Sequence, residues 1–449
     1  MIEASIHFPA GFLWGTATSA HQVEGANRAN DWSQWEQESG RILEGHQAGA
    51  ACDWWGGRWR EDFDRAAADG HNAHRLSIEW SRVEPSPGVW DQTALDQYRE
   101  MLTGALARGL TPMVTLHHFT NPIWVMDAGG WRNPRIVEWF ERYVLRVVEF
   151  LGDLVSLWVT INEPNFYLFA GYVDGSFPPG EKSLRATHYV AAHLLRAHAA
   201  AYHVIHSAAP DARVGMAHHY RSFKPARQGS FLDARAAKLR SRLFNGVFPK
   251  ALCSGNLSIL TRQSIPEAAG TQDFFGLNYY TRELSRWDLL HPSSLLRQGE
   301  FEEGAEVSPT GFIANQPKGF WEALVWAHSY RLPIYITENG LEDEDDILRP
   351  TYLAEHVHQA WRAANMCWKV RGYFHWSLVD NFEWERGWTQ RFGLYALDRE
   401  TQMRKARSSA RFYAEICQAN GLSTDMIARY APKAIARVFP PREADDLKA

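Results

Sequence analysis

Cysteine is scarce: the 449 residues hold four, at Cys52, Cys253, Cys367 and Cys417, with no C-x-x-C pair among them. That scarcity excludes a disulfide framework and a cysteine-built zinc site, and it fits a cytoplasmic protein kept reduced. Long apolar runs are missing too. No stretch reaches the roughly 18 consecutive apolar residues of a membrane span. The opening segment Met1 to His7 has no basic stretch followed by an apolar one, so no secretory signal is expected. Neither charge sign dominates: 47 Lys+Arg against 52 Asp+Glu leave a net charge of −5. This balance offers no basic footprint for nucleic acid and no cationic face for an anionic membrane. Low-complexity linkers and internal repeats are absent. Also absent are the G-x-S-x-G elbow, the G-x-x-x-x-G-K-[ST] phosphate loop, the G-x-G-x-x-G dinucleotide turn and the H-E-x-x-H zinc signature. The adjacent His117 and His118 lack a third ligand at recognisable spacing, so neither metal nor cofactor is expected.

What is abundant is the indole, with 20 Trp and 13% aromatic residues overall. A tryptophan ring suits a packed core and a ligand platform equally well, and composition does not separate the two. Apolar residues at 45% and charged residues at 22% sit near globular averages and exclude a disordered chain. Length alone allows about three domains or one elaborated barrel.

A strand–helix alternation favours the barrel. Short apolar, β-prone runs occur at 12–17, 73–78, 112–116, 157–161, 213–217, 274–279, 333–337 and 372–378. Runs of this kind are what strands buried on both faces look like. Helical spacing fills the gaps between them, most clearly over 136–151, where Ile136, Phe140, Tyr143, Val147 and Leu151 recur at three- and four-residue steps. Eight such units predict an α/β fold, a single (β/α)8 TIM barrel with long strand-to-helix loops covering 1–449. Loop insertions are expected near 165–184 and 281–316, a solvated acidic loop at 342–346, and a flexible tail from about 431 to 449.

In parallel barrels chemistry gathers at the C-terminal strand ends. The fourth run ends in Thr160-Ile161-Asn162-Glu163-Pro164 and the seventh in Ile336-Thr337-Glu338-Asn339-Gly340. Strands 4 and 7 face each other across a barrel, so both carboxylates can meet in one pocket. Either Glu alone is most simply one half of a structural ion pair. Two facing carboxylates are the kit for glycoside hydrolysis.

Seven stretches, in order, resemble glycoside hydrolase family 1, the β-glucosidase family: 8–25 (FPAGFLWGTATSAHQVEG), 75–82 (RLSIEWSR), 115–119 (TLHHF), 160–164 (TINEP), 276–280 (GLNYY), 336–340 (ITENG) and 372–384 (GYFHWSLVDNFEW). The resemblance implies a retaining enzyme with Glu163 as acid/base and Glu338 as nucleophile, their carboxyl groups about 5–5.5 Å apart. It implies Arg75 beside the nucleophile and Tyr280 touching it, with Asn278 lining the same end. Gln22, His118, Asn162, Glu383 and Trp384 correspond to family positions that hydrogen-bond sugar hydroxyls, and Trp376 to the floor under the pyranose. Phe119 and Phe312 stand where many relatives carry Trp, and at Phe312 the change leaves a less extended platform on the leaving-group side. Glu383, with Gln390 and Phe392 nearby in sequence, departs from the phosphate-binding branch and implies a non-phosphorylated sugar. The expected substrates are β-glycosides or short oligosaccharides. The expected activity is that of an exo-acting β-glucosidase with β-galactosidase and β-fucosidase side activities. A transglycosidase using the same site is the alternative, and a catalytically dead sugar-binding barrel is disfavoured because both carboxylates are present.

Overall fold

The structure is a computed structural model that describes residues 3–288 and 299–440. Its centre is a closed parallel barrel of eight strands. These are β1 (Leu13–Ala17), β2 (Ala73–Ser77), β3 (Thr111–His117), β4 (Leu157–Asn162), β5 (Arg213–Pro225), β6 (Phe274–Ser285), β7 (Ile334–Asn339) and β8 (Val370–Trp376). Neighbours in the barrel follow chain order, and β8 closes onto β1 with Gly372 opposite Leu13 and Trp376 opposite Ala17. The fold is a TIM barrel, as the alternation predicts.

Alternation along each strand separates two cores. Ala17, Ala73, Met113, Val159, Ala217 and Phe374 belong to one small cluster inside the barrel. Leu76, Val114, Trp158, Val214, Leu277 and Ile336 belong to the larger one packed beneath the helices. Residues two apart share a face of a strand, so Arg75 points inward with Ala73. A charged residue on that inward face is costly to bury unless paired. That already marks it as unusual.

An outer layer of helices follows the strands. It includes α1 (Trp59–Ala68), α2 (Gln92–Ala107), α3 (Ile136–Leu151), α4 (Leu184–Ala208), α5 (Phe231–Phe244), α6 (Val247–Ser254), α7 (Pro317–His328), α8 (Arg349–Asn365) and α9 (Ser408–Ala419). α3 spans the limits read from its periodicity, and all five residues of the predicted stripe are fully buried. Where side chains cap the helices they do so through the expected chemistry. Asp91 accepts from the Ala94 N–H at the start of α2, and Ser183 accepts from the Ala186 N–H at the start of α4.

Several connections differ from expectation. Within 165–184 the chain forms a short helix, Pro164–Phe169, and a π-turn over Ala170–Asp174 before running irregularly. Within 281–316 the first residues continue β6, pairing with the extended end of β5 from Ser222 to Pro225. Residues 289–298 of that stretch lie outside the described part. The acidic run is not a solvated loop throughout. Glu342 and Asp343 are both 1% exposed. Glu342 accepts from the Ser308 and Thr310 hydroxyls, and Asp343 accepts the Leu348 and Arg349 N–H groups at the start of α8. Hydroxyls and free helix-terminal amides satisfy carboxylates that sequence alone assigns to water. Of the tail, Pro432–Ala434 and Ile435–Val438 form short helical turns with Ala434 and Val438 buried, and 441–449 lie outside the described part. The four cysteines are unpaired, and no helix among the described residues is long and apolar enough to cross a membrane.

The α3 stripe yields a direct test. Phe140→Ala should cost about 3–5 kcal/mol of stability through the cavity it leaves. Leu145→Ala, on the 40% exposed face of the same helix, should stay within about 0.5 kcal/mol. Urea unfolding of both variants separates the two faces.

Candidate active site

The loops at the C-terminal ends of the strands enclose a cavity of about 630 Å³. His118, Asn162, Glu163, Tyr280, Glu338, Trp376, Glu383 and Trp384 all line it. A larger apolar cleft of about 1200 Å³ shares the Arg221 wall, but no carboxylate is among its described lining residues. Chemistry belongs to the smaller one.

Glu338, near the end of β7, is 3% exposed. Its Oε1 accepts from Arg75 Nη1 at 2.6 Å and its Oε2 from the Tyr280 hydroxyl at 2.6 Å. Arg75 has no exposed surface and uses every arm. Its guanidinium also donates to the Thr337 carbonyl (3.1 Å), Thr115 Oγ1 (3.0 Å) and Asn162 Oδ1 (2.6 Å), tying β2 to β3, β4 and β7. Burial and the facing Glu163 nevertheless raise the Glu338 carboxyl to about 7, against the pull of Arg75 and Tyr280. Gly340 completes this corner by close approach, because a Cβ there would lie 2.0 Å from the Trp376 carbonyl oxygen.

Glu163 follows β4 at the N-terminus of the helix Pro164–Phe169, in the left-handed region at φ 43°, ψ 56°. Such a conformation costs a non-glycine residue about 1–3 kcal/mol unless its surroundings impose it. Here the Glu163 N–H donates to the Ala217 carbonyl on β5 at 2.8 Å, and its carbonyl accepts from Tyr167 at 2.9 Å. The carboxyl receives Asn278 Nδ2 on Oε1 (2.8 Å) and meets His219 Nδ1 at Oε2 (2.9 Å). Burial opposes its ionisation, but a positive His219, its hydrogen bond, Asn278 and Arg221 together hold the carboxyl below its usual range. That depression depends on charge at an imidazole. The permanent cation bound directly to the carboxyl pair is Arg75, on Glu338. The two carboxyls share one buried cavity and titrate as a pair.

Around them the shell of expected residues is assembled in two layers. Asn162 turns its Oδ1 to Arg75 and Asn278, and its Nδ2 towards His118 Nε2 at 3.1 Å. Burial keeps His118 neutral, so Nε2 accepts and Nδ1 carries the proton, with no protein partner among the described residues. Glu383 is pushed well above the usual carboxyl range, first by burial and then by Glu385 and Glu338. Trp384 stacks near-parallel with His118 (centroids 6.0 Å, 19°), and Trp376 lies 6.1 Å from the same ring at 26°. Gln22 and Asn278 lie behind the cavity wall. Gln22 is fully buried, donates to the Phe382 carbonyl (2.8 Å) and Glu383 (3.3 Å), and accepts from Ser19 (2.6 Å). Phe119 and Phe312 both line the cavity, and the Arg386 guanidinium lies 5.0 Å from the Phe312 ring.

Three ionisable lining residues were missed from sequence, His219, Arg221 and Glu283, as were Phe166, Thr281 and Ile313. Arg221 pairs with Glu283 at 2.9 Å and sits over the rings of Phe166 and Phe244. Their only sequence signal is the His218-His219 doublet at the end of the fifth run, and a doublet on a strand is more often packing than site.

Similarity to known proteins runs over nearly the whole chain. The family model described as glycosyl hydrolase family 1 matches residues 4–422. The chain belongs to glycosyl hydrolase family 1. It is a glycoside hydrolase, a retaining β-glycosidase. Beta-glucosidase A of Thermotoga maritima is 32% identical over 452 residues, covering 92% of this chain and 98% of the relative. A beta-galactosidase of Pyrococcus woesei is 30% identical over 501 residues, covering 93% and 98%. Among solved structures, the beta-glycosidase from Pyrococcus horikoshii superposes with a TM-score of 0.88 at 37% identity, covering 95% of this chain and 98% of that one. No group of three or more His, Cys, Asp or Glu side chains among the described residues is placed to hold a metal ion.

Arg75 in this family 1 site is testable by substitution. Arg75→Met should raise the Glu338 carboxyl by a further 1–3 pH units or so. Difference infrared titration against the Arg75→Met/Glu338→Gln double variant reads that carboxyl directly.

Proposed function

We propose that this family 1 enzyme is an exo-acting β-glycosidase, a β-glucosidase first, with β-galactosidase and β-fucosidase side activities. It works by double displacement. Glu338 attacks the anomeric carbon while Glu163 passes its proton to the departing glycosidic oxygen, leaving a covalent glycosyl–Glu338 ester. The negative charge on Glu338 disappears with the ester, so Glu163 ionises more readily and takes a proton from the incoming water. That water attacks the anomeric carbon and frees the sugar. The observation that carries this assignment is the asymmetry of the pair: a permanently charged guanidinium lies 2.6 Å from Glu338, while the direct partners of Glu163 are an amide and a titratable imidazole.

The sugar shell supports the reading residue by residue. His118 has a free Nδ1–H to donate, Glu383 brings a carboxyl to the cavity wall, and Asn162 stands beside the acid for the 2-hydroxyl. Trp376 offers the flat apolar surface under the pyranose and Trp384 an indole donor. Gln22 acts by holding Glu383. A non-phosphorylated sugar fits, since the Glu383 carboxyl in the cavity wall offers a phosphate no positive partner. Among the described residues the arginine in the cavity wall, Arg221, is already paired with Glu283, so a phosphate would find no unpaired arginine or lysine among them. Residues 1–449 are read as one catalytic domain, and the unpaired cysteines accord with a cytoplasmic setting. Transfer to a sugar or alcohol instead of water would use the same ester.

A 2-fluoro glycoside should trap the ester on Glu338, located by peptide mass spectrometry. Label at another residue, or none with turnover intact, removes the nucleophile assignment. Glu163→Gln should lower turnover of alkyl glycosides by about 10²–10⁴ and of dinitrophenyl glycosides far less, since a good leaving group needs no proton. Equal losses on both would contradict the acid role.

A further inference from the structure

We propose that His219 is a positioning residue for Glu163: it fixes the carboxyl at the leaving-group side and sets the pH above which that carboxyl has lost its proton. The inference rests on Glu163 being the acid/base.

The geometry is specific. His219 follows Ala217 by two on β5, and Ala217 is the residue whose carbonyl holds the Glu163 backbone. One strand end thus positions both the backbone and the carboxyl of the same glutamate. The imidazole is itself fixed. Asn165, two residues after Glu163, donates Nδ2 to the His219 carbonyl at 2.7 Å and to the Phe244 carbonyl at 3.1 Å. The ring packs against Phe166 (5.6 Å), Phe244 (5.5 Å) and Tyr280 (5.8 Å). His219 is 7% exposed, so this contact is made away from bulk water.

An ionised carboxylate only accepts hydrogen bonds, so once Glu163 has lost its proton Nδ1 must be the donor. Asn278 supplies a donor to the other oxygen. With both oxygens filled, the anion is favoured over the acid. Other charges face the same group. Arg221 comes from β5, Tyr280 from β6, Glu338 from β7 and Glu383 from the loop after β8, and Arg75 reaches it through Asn162 and Asn278. Glu338 opposes ionisation of Glu163, and Arg221 assists it. His219 is the titratable donor in direct contact.

The test is the pH dependence of kcat/KM for wild type, His219→Leu, His219→Asn and Glu163→Gln, with alkyl and dinitrophenyl glycosides. Losing the donor leaves the carboxyl protonated to higher pH. In His219→Leu the alkaline limb should therefore move up by about one pH unit, and kcat on alkyl glycosides should fall about tenfold against less than about threefold on dinitrophenyl glycosides. His219→Asn keeps an N–H near the place of Nδ1 but not the charge. It should restore most of the alkyl-glycoside turnover and still show a smaller upward shift. An alkaline limb that stays or moves down, or equal losses on both substrates, overturns the proposal. Should the Leu variant not fold, an unmoved limb in His219→Asn overturns it. Glu163→Gln separates the two readings. If the limb survives there, the acid/base assignment fails. If it vanishes there but stands unmoved in the His219 variants, only the role of His219 fails.

Discussion

A buried guanidinium organises this molecule. Arg75 occupies the inward face of β2, where the other strands place alanine, methionine or valine, and it has no contact with solvent. A charge there is tolerable only with its partners complete, and removing one partner from a buried pair of this kind costs about 3–5 kcal/mol. Its contacts to Thr115, Asn162, the Thr337 carbonyl and Glu338 bind four strands into one register at the end where the barrel opens. The same contacts choose which carboxylate bears a fixed counter-charge.

Strain is concentrated where the substrate would sit. Glu163, Phe119 and Trp384 are non-glycine residues with positive φ, at 43°, 71° and 47°, and all three line the cavity. Each lies where a loop must turn sharply to aim a side chain into the cavity. The rigid barrel below supplies the contacts that hold them, as the Ala217 carbonyl does for the Glu163 backbone. Helix α3 shows the opposite condition, in which local propensity, apolar spacing and burial all agree and the helix ends where its pattern ends.

Much of the fold was legible in the chain. All eight strand runs were found, because strands buried on both faces stand out as short apolar blocks between helical periods, but the fifth and sixth run on to Pro225 and Ser285, well past the ends read for them. The two carboxylates were legible because barrel strands end in sites, and Tyr280, His118 and Asn162 followed from the family motifs. Glu342 and Asp343 were misread as solvated, since the groups that satisfy them are Ser308, Thr310 and the start of α8, none of which the acidic run itself announces. His219 was missed for the same reason. Its partner lies 56 positions away, and nothing local distinguishes a strand-end histidine that packs from one that binds a carboxyl.

The tryptophans divide in a similar way. Trp14, Trp32, Trp54, Trp80, Trp131 and Trp158 are fully buried in the packing, while Trp376 and Trp384 line the cavity, a division that composition left open. By itself, the sequence determined the period of the strands and helices, the number of β/α units and the residue types at the strand ends, because these depend on side chains within a few positions of each other. Only the tertiary structure decided which charges are paired, in which direction each buried carboxyl is shifted and which imidazole stands against Glu163. Those properties are set by burial and by partners brought together from different strands, and burial exists only once the barrel has closed.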